Sequence, residues 1–563
     1  MTEKKSRSRF SLPGIRPYIQ GFFLLFFLFI FFRVSYPFHE DFSKNFFFNL
    51  DPLIALIMAI SGSPVKMTLL ISLVAVLTTI LFGRVFCGWI CPMGTIFDLS
   101  AYIFYRNKNE NKPFGNGRYK NIKYYLLGIL IIGSLMGFTA VMFFDPLVFL
   151  FRVLALNVHP YIILAANQVL HLIQPLAMKM GMYKLSMMSL EQPVFRLGAA
   201  NLFLFAAVIG LIAMERRFWC RNLCPLGAFL SLLSRYSMWG RRVSDVCIKC
   251  SKCTQTCPMN AISENYMNTS ARECIQCERC APVCPVDAIS FRTGGKNQRF
   301  EFNPSRRNII FSGIGGVLAS FAAGTAVTGK TVLDKRLRPP GALIEKDFLD
   351  ACLRCGECMK VCPTHGLQPA MLQAGFEGMF TPVLTPRVGA CEEQCNLCGQ
   401  ICPTGAVRPL PLEEKQYAII GNAIIDRNRC IAWEQGKICL ICDEVCPYDA
   451  VEFHMVTDEK GTIQRPFVIE DKCVGCGQCE NGCPVNGPAA IFVTPVNEVR
   501  KNDGSYITDR VKQLREEHKF DDEKDFYEEE NMQDSEIQSG ENAPKPWETN
   551  TQKEGELPPG FVE

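Results

Sequence analysis

The chain has 563 residues, with 59 Lys and Arg against 55 Asp and Glu, so its formal net charge is only +4. That balance excludes a strongly basic nucleic-acid binder. Hydrophobic residues make up 48% and charged residues 20%, an average that conceals a split between very apolar and polar stretches. The 28 cysteines sit in a chain far too long for a small disulfide-stapled secreted scaffold. A metal or iron–sulfur protein is left, and spacing decides between them.

The first apolar run, Tyr18 to Tyr36, carries Arg33 as its only charge, and a membrane core needs roughly 20 such residues in helix. Further runs at 67–85, 122–144, 196–214 and 309–329 predict five spans. Lys and Arg crowd the N-terminal tail, the connection from Arg84 to Lys123, and the stretch Arg216, Arg217 and Arg221. The positive-inside bias therefore predicts a cytoplasmic N-terminus, with outer loops at 37–66 and 145–195. The spans read as two repeats of two. One holds NLDPLIAL from Asn49 and CGWICPMG from Cys87; the other holds FFDPLVFL from Phe143 and CRNLCPLG from Cys220. Asp51 and Asp145, each before Pro, read as helix N-caps rather than proton-transfer groups.

Six groups hold 24 of the cysteines. They are Cys247, Cys250, Cys253 and Cys257; Cys274, Cys277, Cys280 and Cys284; Cys352, Cys355, Cys358 and Cys362; Cys391, Cys395, Cys398 and Cys402; Cys430, Cys439, Cys442 and Cys446; and Cys473, Cys476, Cys479 and Cys483. Pro follows the last cysteine of every group. Three closely spaced thiolates wrap three corners of a 4Fe–4S cubane, and the distal one reaches the neighbouring cluster. Six clusters are predicted, with Cys284 completing the 247 set and Cys257 the 274 set. A zinc ribbon has no need of this run. For the four later groups, pairing of first with fourth and second with third, or of neighbours along the chain, both remain open. Cys87, Cys91, Cys220 and Cys224 could hold a seventh cluster, a copper or zinc ion, or a redox dithiol pair; four reduced packed thiols are the plain alternative.

No Cys-x-x-Cys-His occurs, so c-type haem is not expected, and no nucleotide-binding fingerprint is present. Arg306 and Arg307 open the fifth apolar run like an internal twin-arginine export signal, with ordinary positive-inside flanking as the alternative. Residues 501–563 hold 18 acidic against 8 basic side chains and predict a flexible or partner-wrapping tail, with an amphipathic helix to about 520. The predicted organisation is an α-helical membrane domain of two 2-span repeats plus a fifth span, with α+β bacterial-type ferredoxin domains on both sides. Its boundaries are 1–240 (membrane), 241–300 (cytoplasmic two-cluster ferredoxin), 305–330 (fifth span), 331–500 (periplasmic four-cluster ferredoxin) and 501–563 (tail).

Residues 1–290, with CGWICPMG, CRNLCPLG and two ferredoxin motifs, resemble the NapH-type membrane quinol dehydrogenase subunit of periplasmic nitrate reduction. Residues 305–495, with the paired Arg, RPPGAL at 338–343 and four motifs, resemble the NapG/MauM ferredoxin-type proteins, as if the two were fused. The resemblance implies a protein of the inner membrane that passes electrons from the quinol pool to a periplasmic reductase or cytochrome, with other subunits as partners. A quinol site would need a proton acceptor, and Arg152, His159 and His171 are the candidates offered by the 145–195 segment. CcoG, FixG and NosR proteins share the motifs of the first half, which keeps copper reduction or oxidoreductase maturation as an alternative. A third is a wiring subunit with no substrate site of its own.

Overall fold

Helix α1 (Leu12–Arg33) opens an all-helical region in which one order of elements occurs twice. In the first half α1 is followed by α2 (Pro52–Ile60), α3 (Ser72–Phe82), a π-turn at Phe86–Ile90 that carries Cys87, and α4 (Pro92–Tyr105). In the second, α5 (Ile122–Leu135) precedes α6 (Pro146–Val153), which runs through a π-turn at Leu154–Val158 into α7 (His159–Lys179). Then come α8 (Gly198–Gly210), a short helix Phe218–Asn222 that carries Cys220, and α9 (Pro225–Leu233). This computed structural model describes residues 12–34, 45–62, 70–105, 119–137 and 143–293, a few positions between 310 and 317, and 336–507 apart from 372–374, 376, 459 and 460. The chain divides into two compact units, 1–504 and 505–563, and every element named here lies in the first.

Both Asp-Pro pairs start a helix. Asp51 Oδ1 accepts from Leu53 N at 2.9 Å, and Asp145 Oδ1 accepts from Leu147 N at 2.9 Å and Val148 N at 3.1 Å. Pro in the first turn has no N–H to leave unpaired, so the pair is a compact start signal. The halves interlock: α2 packs against α9 of the other half, and α6 against α4.

Among the described residues two helices are long and apolar enough to cross a membrane, Gly14–Arg33 and Pro146–Lys179. The first matches an expected span. The second occupies the segment expected as an outer loop. Within the runs expected at 67–85, 122–144 and 196–214 the described residues hold shorter apolar helices, with Gly83 (φ 77°) ending α3 and Gly137 (φ 81°) following α5. Glycine tolerates those left-handed conformations, and a helix cannot continue through them. The expected fifth span, the paired Arg and the acidic tail from 508 lie wholly or almost wholly outside the described residues.

The first ferredoxin is clasped by antiparallel β1 (Trp239–Val243) and β2 (Ile289–Thr293), with Trp239 opposite Thr293. In the second, α10 (Glu345–Ala351) leads to β3 (Leu367–Pro369), paired with β4 (Pro382–Leu384). There β5 (Asn422–Ile425) pairs with β8 (Ile491–Thr494), with the hairpin of β6 (Val451–Asp458) and β7 (Gly461–Val468) between them in the chain. Arg338, first residue of RPPGAL, joins α10 to β4. Its guanidinium meets the Glu345 carboxylate at 2.6 and 3.1 Å, and donates to Thr381 Oγ1 at 2.8 Å and Pro382 O at 2.9 Å.

Candidate iron–sulfur sites

Most of the cysteine turns are tight because the backbone turns left-handed twice. In four of the six groups the residue two after the first cysteine and the residue after the second have positive φ: Lys249 and Ser251, Gln276 and Glu278, Arg354 and Gly356, Gly475 and Gly477. Five of those eight are not glycine, so these turns hold conformations that L-residues disfavour, and surrounding structure must enforce them. The result is three sulfurs on one concave loop.

A fourth sulfur arrives from the neighbouring group. Cys284 shares a cavity with Cys247, Cys250 and Cys253, and Cys257 shares another with Cys274, Cys277 and Cys280. In the second ferredoxin Cys446 joins Cys473, Cys476 and Cys479, while Cys483 joins Cys430, Cys439 and Cys442. Cys402 lies among the charge neighbours of Cys352, Cys355 and Cys358, and Cys362 among those of Cys391, Cys395 and Cys398. Of the two pairings left open by the sequence, the structure has neighbours along the chain exchanging their last cysteine. The sulfurs ring cavities and do not meet at a point. Among the described residues no three His, Cys, Asp or Glu side chains are close enough to hold a single ion, whereas a cubane keeps its thiolates apart at its corners.

Backbone N–H groups face the distal sulfurs. Ala261 N stands 3.4 Å from Cys257 Sγ, Ala288 N 3.3 Å from Cys284, Ala450 N 3.4 Å from Cys446 and Ala490 N 3.4 Å from Cys483. Such donors stabilise a cluster's negative sulfurs. Burial pushes the Cys274, Cys442 and Cys476 thiols up to about 12, so cluster insertion must displace protons. The donor sets fit 4Fe–4S clusters, which when bound supply one-electron chemistry.

The later sets form a succession. Cys398 acts on Cys358, Cys391 N donates to Cys476 O at 2.9 Å, and Cys442 acts on Cys479. The order in space is thus the 352 set, the 391 set, the 473 set and the 430 set. The 352 set abuts the helical region: Leu353 and Cys355 belong to the same apolar core as Phe31 and Phe151. Lys360 donates to Phe31 O and sits 3.6 Å above the Phe31 ring.

Cys87, Cys91, Cys220 and Cys224 converge between the two halves, each within electrostatic reach of the others. Burial pushes Cys91 and Cys224 well above the ordinary thiol range; Cys220 is pushed up to about 11, with Arg217 and Arg84 opposing the rise. Both arginines are fully buried, and each serves the opposite half. Arg217 donates to Cys87 O and Gly94 O, both at 3.1 Å, and a Cβ on Gly227 would lie 2.9 Å from the Arg84 guanidinium. Arg84 Nη1 donates to Arg272 O at 3.1 Å and stands 3.6 Å from the Glu273 carboxylate, while Nε and Nη2 have no hydrogen-bond partner among the described residues. Unpaired buried guanidinium donors are costly, and Arg84 with Arg217 favours the ionised form of Cys220. Asp98 anchors the other side. Burial opposes its ionisation, yet Arg217 at 2.9 Å and Arg16 at 2.7 Å hold it well below the usual carboxylate range.

The first ferredoxin is seated on this loop. A Cβ at Gly88 would lie 2.2 Å from Ile275 O, so only glycine lets the backbones approach, and Trp89 Nε1 donates to Gln276 O at 2.9 Å. Arg84 and Arg217 escape a reading that looks at cysteines alone. The available signal was a shared pattern, Arg-x2-Cys-x3-Cys-Pro-x-Gly, at Arg84–Gly94 and Arg217–Gly227.

Arg152, His159 and His171 are not brought together. The Arg152 guanidinium is fully buried between the Phe143 and Phe380 rings, 4.3 and 4.7 Å from their centroids, and donates to Asn201 at 3.2 Å. It faces the 352 set, with Cys355 among its charge neighbours. His159 is half-buried near Lys360 and His365, and His171 is exposed, 3.1 Å from Gln174 Oε1.

A family model described as a 4Fe-4S binding domain matches residues 66–110 and again 197–246, one match on each half of the duplication. A second, described as a 4Fe-4S dicluster domain, matches 246–288, 273–365 and 437–486. The chain is 37% identical over 206 residues to the methylamine utilization ferredoxin-type protein MauM of Methylorubrum extorquens, covering 34% of this chain and 90% of that protein. It is 33% identical over 198 residues to the ferredoxin-type protein NapG of Escherichia coli, covering 34% and 84%. A further similarity, 28% identity over 256 residues, is to the methylamine utilization ferredoxin-type protein MauN of Methylobacillus flagellatus, covering 43% and 74%. Through that third of its length the chain belongs to the MauM and NapG family of ferredoxin-type proteins, and it is an iron–sulfur electron-transfer protein.

Proposed function

We propose that the chain is a multi-pass membrane protein that carries electrons across the bilayer, from a quinol or a cytoplasmic donor to an outer-side reductase or cytochrome. The observation that carries this is α1. Near its start, Arg16 donates to Gly88 O at 3.0 Å in the four-cysteine loop, on which the first ferredoxin sits. Near its end, Phe31 holds Lys360 of the second. Those contacts are 15 residues apart, about 22 Å at the rise of a helix, which suits ferredoxins on opposite faces of a bilayer. The exposed large side chains of α1, α3, α7 and α8 support a lipid setting: Phe22, Leu25, Leu73, Leu172 and Phe203 are all more than half exposed. The Lys and Arg bias puts the first ferredoxin in the cytoplasm.

In this reading six 4Fe–4S clusters occupy the ferredoxin sets and a seventh iron–sulfur cluster sits on Cys87, Cys91, Cys220 and Cys224. The match of a 4Fe-4S family model to both halves supports the seventh, as do the two buried guanidiniums. Anaerobic purification with iron and copper quantification, and EPR with and without quinol, tests the proposal. About 28 irons per chain, four for each of seven sets, with signals that grow on quinol addition, is the expected result. Copper on the four juxtamembrane cysteines would favour metal reduction or maturation instead. Full iron without reduction by quinol would move the quinol site to a partner.

A further inference from the structure

One buried guanidinium serves both cavities of the first ferredoxin. Arg241, in the middle of β1 and opposite Phe291 of β2, is buried. It lines the cavity that holds Cys247, Cys250, Cys253 and Cys284, and also the cavity that holds Cys257, Cys274, Cys277 and Cys280. Its Nη2 donates to Cys253 Sγ at 3.6 Å.

The guanidinium is fixed where it stands. Nη1 donates to Thr269 Oγ1 at 2.9 Å, and both terminal nitrogens donate to Tyr266 O at 3.1 Å. Those acceptors belong to the segment between the two cysteine groups. It is closed by the Ile262–Thr269 bridge and by Ser270 N donating to Ala261 O at 2.8 Å. Every acceptor of Arg241 is a carbonyl, a hydroxyl or a sulfur, so no carboxylate among the described residues bonds to it, and Nε has no hydrogen-bond partner there. A cation held out of water without a counter-charge is costly. Other charges line these two cavities, but Lys249, Glu278 and Arg279 are all more exposed. The cavities of the 430 and 473 sets have no charged side chain in their lining. Among these four cavities, a buried cation belongs to the first ferredoxin alone.

We propose that Arg241 is a positioning residue that raises the reduction potentials of both clusters of the first ferredoxin, and most of all that of the 247 set. The inference rests on the reading of those cavities as 4Fe–4S sites. An electron from the donor adds one negative charge to a cluster, and Arg241 neither gains nor loses a proton. A fixed positive charge in surroundings of low dielectric lowers the energy of the reduced form more than that of the oxidised form. The hydrogen bond to Cys253 adds to the effect, because hydrogen bonds to the sulfurs are among the features that set cluster potentials. The guanidinium is already in place before the electron arrives, so little has to rearrange. Arg241 thus decides how readily the first ferredoxin takes electrons.

The test is a potentiometric titration of the cluster-loaded full chain with dithionite, followed by EPR and iron quantification. Cys250→Ser, at the exposed ligand of the 247 set, identifies that set's signal by shifting or removing it. In Arg241→Met the reduction equilibrium of that cluster should fall about tenfold, ~59 mV for one electron, with iron content unchanged. The 274 set should fall less, and Arg241→Lys, which keeps the charge, should recover part of the loss. A second readout needs no change at Arg241. In wild-type protein grown with arginine carrying the heavy nitrogen isotope, pulsed EPR should show coupling of that nitrogen to the 247-set signal. An unmoved potential in iron-loaded Arg241→Met, as a purely structural role would give, overturns the proposal. So does the absence of nitrogen coupling in the labelled wild type, which decides the matter if Arg241→Met fails to fold. A wild-type chain in which no signal answers to Cys250→Ser would sink the reading of the cavities as cluster sites, and the proposal with it.

Discussion

The ferredoxin sets and the four-cysteine site use the same ligand but gather it in different ways. A ferredoxin set takes three sulfurs from one short loop, in a cavity lined largely by apolar side chains, although the buried Arg241 guanidinium stands between the two sets of the first ferredoxin, 3.6 Å from Cys253 Sγ. The site between the halves takes its sulfurs in pairs from loops more than 120 residues apart and is flanked by two buried guanidiniums. The first arrangement needs only local sequence. The second needs the whole helical region to be folded, and two fixed arginines stand beside it.

The largest expected effect separates the two kinds directly. Cys87→Ser with Cys220→Ser should remove about four irons, leave the EPR signals of the ferredoxin clusters in place, and stop electrons passing from the first ferredoxin to the second. Next comes Arg217→Met. It leaves Asp98 with a partly compensated buried charge, and loss of one partner of a buried pair costs about 3–5 kcal/mol. Thermal unfolding should show that loss, and the four-cysteine centre should become harder to reduce without its cation.

The second ferredoxin offers a matching test of a charge pair outside the helical region. Burial disfavours the Glu345 carboxylate, but Arg338 and then Arg500 hold it at about 2, against an ordinary 4.5. A depressed carboxylate stabilises above its unfolded value, so its contribution, about 3 kcal/mol, is present at neutral pH and is lost as pH falls from 4.5 towards 2. Glu345→Gln should remove that acid dependence from the unfolding curve of the full chain while leaving iron content unchanged.

The smallest effects concern docking of the first ferredoxin. Gly88→Ala drives a Cβ against Ile275 O and should cost about 1–3 kcal/mol, slowing electron exchange between the 274 set and the four-cysteine centre at constant iron. Trp89→Phe loses one hydrogen bond to Gln276 O, worth about 1 kcal/mol, and stopped-flow reduction should show a milder version of the same delay.

What the sequence revealed follows the range of the interactions. The Cys-x2-Cys-x2-Cys runs and the Asp-Pro starts are local, and their turns and caps are visible as spacing. Helix length was less legible. Apolar runs at 67–85 and 122–144 read as spans, yet Gly83 and Gly137 adopt left-handed backbone that ends helical geometry, and the long apolar helix Pro146–Lys179 occupies a segment expected as a loop. His159 and His171 lie on that helix among mostly apolar residues, with Asn167, Gln168 and Gln174 beside them in the sequence. Pairing was invisible for a different reason. Whether Cys402 joins the 352 set depends on how two loops stack, and nothing in the spacing of either group encodes it.

We propose that electrons cross from one ferredoxin to the other through the four-cysteine centre. Cluster-loaded protein in sealed liposomes, with a membrane-impermeant reductant on the first ferredoxin's side and an impermeant oxidant on the second's, measures this directly. The account predicts oxidant reduction that depends on the protein and disappears with Cys87→Ser and Cys220→Ser. Undiminished transfer in that variant, or none in a wild type whose clusters are all loaded, would contradict it.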